Sequence, residues 1–116
     1  MTIKRGINQP PQFVPDTTGI LYTVPTTATR AVITAVSMLA NTAVTDVEIF
    51  LVPKGESPGS DNIFVDKNFA LKEPFTAPQL IGQALKEGGT IRGNDGTGSG
   101  AQLNIAITVT EFEGQS

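Results

Sequence analysis

Cysteine, histidine and tryptophan are all missing from this 116-residue chain. Without thiols there is neither a disulfide staple nor a thiolate nucleophile, and without imidazole there is no base that titrates near neutrality. The same two absences remove the usual ligands of zinc and copper. Ser, Thr, Lys, Tyr and the carboxylates remain, but such groups act as nucleophiles only beside a base or a perturbed partner, and no spacing in the sequence supplies one. No catalytic residue, cofactor or metal site is therefore assigned, and no enzyme activity is expected.

Charge is sparse too, at 16% of residues with a net charge of −3 and a pI near 4.7. An acidic chain suits nucleic acid poorly, because that affinity comes largely from Lys and Arg displacing counterions. No apolar run approaches the ~20 residues that cross a bilayer. The start, Met1-Thr2-Ile3-Lys4-Arg5-Gly6, has no apolar segment behind its charges. Neither a membrane span nor an ordinary export signal is expected.

What the chain does have is hydrophobic residues, 39% of the total, enough for one core and too few residues for two. They come in short runs between turn residues, the spacing of an antiparallel β-sandwich. Residues 1–18, with Pro10, Pro11 and Pro15, read as an extended N-terminal arm, and 19–116 as the sandwich domain. Ile3, Ile7, Phe13 and Val14 give the arm reason to dock on another surface. Ile20, Tyr22 and Val24 share a face before Pro25. Residues 30–40 are apolar on both faces; a run this long also admits a helix, but its Thr and Val content and the proline just upstream favour a central strand covered on each side. Within 44–52, Val47, Ile49 and Leu51 oppose Asp46 and Glu48. Residues 53–62 form a Pro- and Gly-containing surface loop, and 63–71 resume alternation with a bend or bulge at Asp66-Lys67-Asn68. Leu80, Ala84 and Leu85 have the spacing for at most one helical turn. Thr90-Ile91-Arg92 follows a tight turn, and Leu103, Ile105, Ile107 and Val109 mark the last strand. Hairpin-length connections favour antiparallel pairing, and both jelly-roll-like and immunoglobulin-like connectivities fit.

Three motifs invite chemistry. Asn94-Asp95-Gly96-Thr97-Gly98-Ser99-Gly100 has the glycines of a phosphate loop, but a strand follows, no Lys is present and Asp95 is its only carboxylate; it reads as a hairpin tip. Glu111 and Glu113 share strand spacing, yet nothing near them in sequence desolvates them, and they read as solvated surface. Lys4 and Arg5 suit an acidic partner but are too few for a nucleic-acid patch. With few charges to guard its edges, such a sheet is expected to self-associate or accept a strand.

The segments Leu21-Tyr22-Thr23-Val24-Pro25, Thr29 to Val36, Val47 to Gly55, Leu80 to Ile91 and Ile107 to Phe112 resemble, in order and pattern, small virion structural proteins of tailed bacteriophages. That resemblance implies a small sandwich, often trimeric, that decorates and cements the capsid by clasping the major capsid protein. It places the protein at the capsid surface of the virion, made in the host cytoplasm. The resemblance gives the arm residues Ile3, Lys4, Arg5, Ile7 and Phe13 the partner contacts. A tail, baseplate or fibre adaptor fits the same pattern. A carbohydrate-binding module is the reading of another class, weakened by a single Tyr and no Trp for a sugar platform.

Overall fold

The computed structural model describes residues 2–9, 12–15, 18–95 and 103–114. Among them the chain is all strand and turn, with no helix. The strands are β1 (Thr2–Asn8), β2 (Gln12–Phe13), β3 (Gly19–Thr23), β4 (Arg30–Ala40), β5 (Val44–Val52), β6 (Ile63–Phe69), β7 (Pro74–Phe75), β8 (Ala84–Lys86), β9 (Thr90–Asn94) and β10 (Leu103–Gly114). The first sheet runs β1-β10-β4-β7, with β2 also on β10 and β8 also on β4; the second runs β3-β9-β5-β6. Every ladder is antiparallel.

Alternation explains which face each strand buries. Leu103, Ile105, Ile107 and Val109 of β10 are buried as expected, and they meet Val47, Ile49 and Leu51 of the second sheet in a single core cluster. Met38, Phe69, Leu80 and Ile91 are among its largest fully buried side chains. Sandwich-like packing of two sheets follows from that shared core.

β4 departs from the expectation of cover on both sides. Its ladder with β10 slips between Thr108↔Ala35 and Val109↔Ile33, leaving Thr34 as the extra residue of a bulge. The slip resets the phase, so Ala31 and Ile33 point inward before it and Val36, Met38 and Ala40 after it. Apolar residues that no single alternation would bring together thus share one buried face, while Val32 and Ala35 stay on the outer one. Leu39 stays 37% exposed on the other.

Two further expectations change in detail. Residues 63–69 form one strand, and its ladder with β5 is irregular at two places other than the expected one: β5 bulges where Asp46 takes φ 56° and donates its N–H to Asn68 Oδ1 at 2.9 Å, and Phe64 is the extra residue between Ile49↔Val65 and Phe50↔Ile63. The segment expected to hold at most one helical turn makes successive four-residue turns, Leu80 N–H to Ala77 O and Ile81 N–H to Pro78 O, and no helix. Gly82 at φ 88° ends them, and Leu85 is buried as a strand residue, not on a helical face with Ala84, which is exposed.

The N-terminal segment is extended, and its partner is its own chain. β1 runs along β10 from Thr2↔Gly114 to Asn8↔Thr108, and β2 joins the same side of β10 through Asn104↔Phe13.

Candidate interaction surface

Ile3, Lys4, Arg5 and Ile7 lie on β1 and Phe13 on β2, so the five residues expected to contact a partner fall along one edge of the first sheet. Ile3 is registered opposite Glu113, Lys4 opposite Phe112, Arg5 opposite Glu111 and Ile7 opposite Val109. The next bond in the ladder runs from Gln9 N–H to Ile107 O at 2.8 Å. In an antiparallel ladder every second residue turns its backbone groups to the same neighbour. Ile7, Arg5 and Ile3 therefore bond β10, whereas Asn8, Gly6, Lys4 and Thr2 turn N–H and C=O outward, where no described strand covers them. Ile7 packs partly buried against the core, and Phe13 is 46% exposed.

Beside this edge lies the outer face of the first sheet. Phe13, Asn104, Leu39 and Pro74 occupy one cross-strand row, with Phe13 and Leu39 exposed. At its other end the Arg30 guanidinium stands over the Phe112 ring at 4.3 Å. Between the two rows come small and hydroxyl side chains such as Ser37, Ala106 and Thr110. Among the described residues, no carboxylate occupies an outward position on this face.

Glu111 corrects the sequence expectation. It is 5% exposed, on the inner face of β10, and its Oε2 accepts a 2.5 Å hydrogen bond from the Tyr22 hydroxyl across the sandwich. Burial, then the carboxylate's acceptance of the bond and its charge, hold the Tyr22 phenol well above the usual tyrosine range. This keeps the hydroxyl a donor. The pair links β3 to β10, and a protonated phenol on a carboxylate is a fixed tie between sheets. Among the described residues, no group of three or more acidic side chains is arranged to hold a metal ion.

A second polar knot closes the opposite side. Lys67 Nζ lies 2.7 Å from Glu73 Oε2, 3.9 Å from the Phe69 ring centroid and 5.1 Å from that of Phe75. Phe69 and Phe75 meet edge to face at 5.6 Å. The hydrogen bond from Lys67, helped by one from the Ala70 N–H, holds the Glu73 carboxyl below the usual glutamate range. A groove of about 450 Å³ opens toward the other end of β4, between Pro53, Lys54 and Ala84 to Glu87. Its lining is aliphatic, and its charged pair, Lys54 and Glu87, sits 3.4 Å apart at the rim.

The surface loop expected at 53–62 is there, closed by Asn62: its side chain accepts from Gly59 N–H and donates to Ser57 O, each at 3.0 Å. Of the glycine-rich motif, Asn94 belongs to β9 and Asp95 is buried just after it; residues 96–100 lie outside the described ones.

No family model and no curated protein matches the chain. Its fold is similar to that of a solved protein from the Bacillus endospore appendages, described as a novel family of disulfide-linked pili. The likeness has a TM-score of 0.53 at 12% identity and covers 99% of this chain and 89% of the other.

Proposed function

We propose that this chain is a non-enzymatic virion structural protein that decorates and stabilises a phage capsid, docking through the β1 edge with Phe13 beside it. The observation that carries the reading is the row of outward backbone groups at Thr2, Lys4, Gly6 and Asn8, an unguarded edge that accepts a strand from a partner. Sequence resemblance to small phage virion proteins supports the class of partner. A jelly-roll connectivity agrees with it: with β1 and β2 taken as one interrupted strand and β7 and β8 as another, each sheet has four strands and all but one of the neighbours are distant in sequence. An immunoglobulin-type order would pair more consecutive strands.

The appendage protein supports a structural use of this fold, but its pili are disulfide-linked. This chain has no cysteine, so any assembly of it is not disulfide-linked.

The test is binding to empty phage heads by co-sedimentation. Deleting the whole N-terminal segment would remove an integral strand, so Lys4→Pro is the better probe: Lys4 spends no N–H on β10, and proline there removes an outward donor alone. The expected result is a native-like melting temperature with head binding lost. Binding at wild-type level by the folded variant would refute the docking mode, and labelled protein found on tails alone would refute the location.

A further inference from the structure

Each face of the sandwich carries a cross-strand pair of like charges. On the first sheet Arg30 of β4 is registered directly opposite Lys86 of β8, and both are exposed. The next pair along, Ala31 and Leu85, is buried, so the two cations point away from the core. On the second sheet Glu48 of β5 is registered opposite Asp66 of β6, and the adjoining pair, Ile49 and Val65, is again buried. The two acids therefore point away from the core on the opposite side of the molecule.

Like charges placed directly opposite each other on a sheet repel, and among the described residues the neighbours do little to relieve either pair. Glu87, next to Lys86, is turned to Lys54 at 3.4 Å. Arg30 has the Phe112 ring beneath it, and among the described residues it makes no ion pair. On the other face Glu48 accepts a hydrogen bond from Asn94 Nδ2 at 3.1 Å, and exposed Asp46 adds a third acid on the same strand. Lys67, next to Asp66, is engaged with Glu73. The cation of that face, Arg92, lies in the row of Phe50 and Ile20 and donates its Nε–H to Thr90 Oγ1 at 2.9 Å.

We propose that copies of this chain associate head to tail, the Arg30–Lys86 pair on one copy set against the Glu48–Asp66 pair on the next. Each repulsive pair then gains two opposite charges. The interface uses two different patches, so it closes into a ring or continues as an array according to the rotation between copies. This association is independent of head docking, which uses the β1 edge.

Analytical ultracentrifugation of the full chain tests it. Wild-type protein is expected to self-associate at low salt and to do so about tenfold more weakly or worse at high salt, where surface charges are screened. Arg30→Glu/Lys86→Glu and Glu48→Lys/Asp66→Lys are each expected to remain monomeric with unchanged melting temperatures. An equimolar mixture of the two is expected to assemble, because every reversed patch then finds its complement. A monomeric wild type at low salt, self-association of either reversed variant alone, or a mixture that stays monomeric would each overturn the proposal.

Discussion

Tyr22 and Glu111 are separated by 89 residues in sequence and by 2.5 Å in space. The carboxylate is buried, so loss of the donor leaves a desolvated acceptor unsatisfied. Tyr22→Phe is expected to cost about 1–3 kcal/mol in chemical denaturation. The phenol's pKa is raised in the folded protein, so the neutral form is favoured by folding. Stability is full below the ordinary tyrosine value of 10 and falls as pH rises above it, because the unfolded chain ionises first. With one Tyr and no Trp in the chain, phenolate absorbance reports this residue alone and is expected to appear together with unfolding, not before. Phenolate in a chain that keeps its native circular dichroism would contradict the buried tie. Nothing local in the sequence marks Glu111 as buried; its environment is supplied by a strand from the other sheet.

Among the elements, long strands were legible and short ones were not. β10 and the first half of β5 announce themselves because one face is buried and the other wetter, which is what period-two alternation records; the second half of β5, Ile49 to Val52, is buried on both faces. β7 and β8, of two and three residues, are too short to show a period, and they exist because β4 offers them an edge. The bulge at Thr34 hid the inward face of β4 by shifting its phase. The N-terminal edge was legible as extended chain, but the choice of β10 as its partner is a non-local fact. Gly93 of β9 shows how closely the central strands approach: a Cβ there would stand 2.7 Å from Ile49 Cδ1 and 3.1 Å from the Glu48 carbonyl oxygen. The side chain can rotate away, but the backbone cannot easily do so. Gly93→Ala is expected to lower stability by about 1–3 kcal/mol through overpacking, read as a fall in denaturation midpoint; an unchanged midpoint would mean that β5 and β9 part more readily than their register implies.

At the scale of the whole molecule the two sheets are fastened on both sides, by Tyr22 with Glu111 and by Lys67 with Glu73. The second fastening is acid-sensitive. Glu73 has its pKa lowered from 4.5 by folding, so its contribution is present above that value and is lost as pH falls through the lower native one. Wild type and Glu73→Gln are expected to differ in melting temperature near neutrality and to converge in acid. A gap that stays constant with pH would show that the carboxylate's charge is not what matters.

β10 lies between β1 and β4, and it is the last of the described strands to be made. A nascent chain therefore carries β1 and β4 before the strand that joins them has left the ribosome. Until then β1 has nothing to zip against, and the aliphatic side chains of β4 wait in water or with a chaperone. Folding of this sheet thus waits for β10, and truncations just short of residue 103 are expected to be taken by proteases.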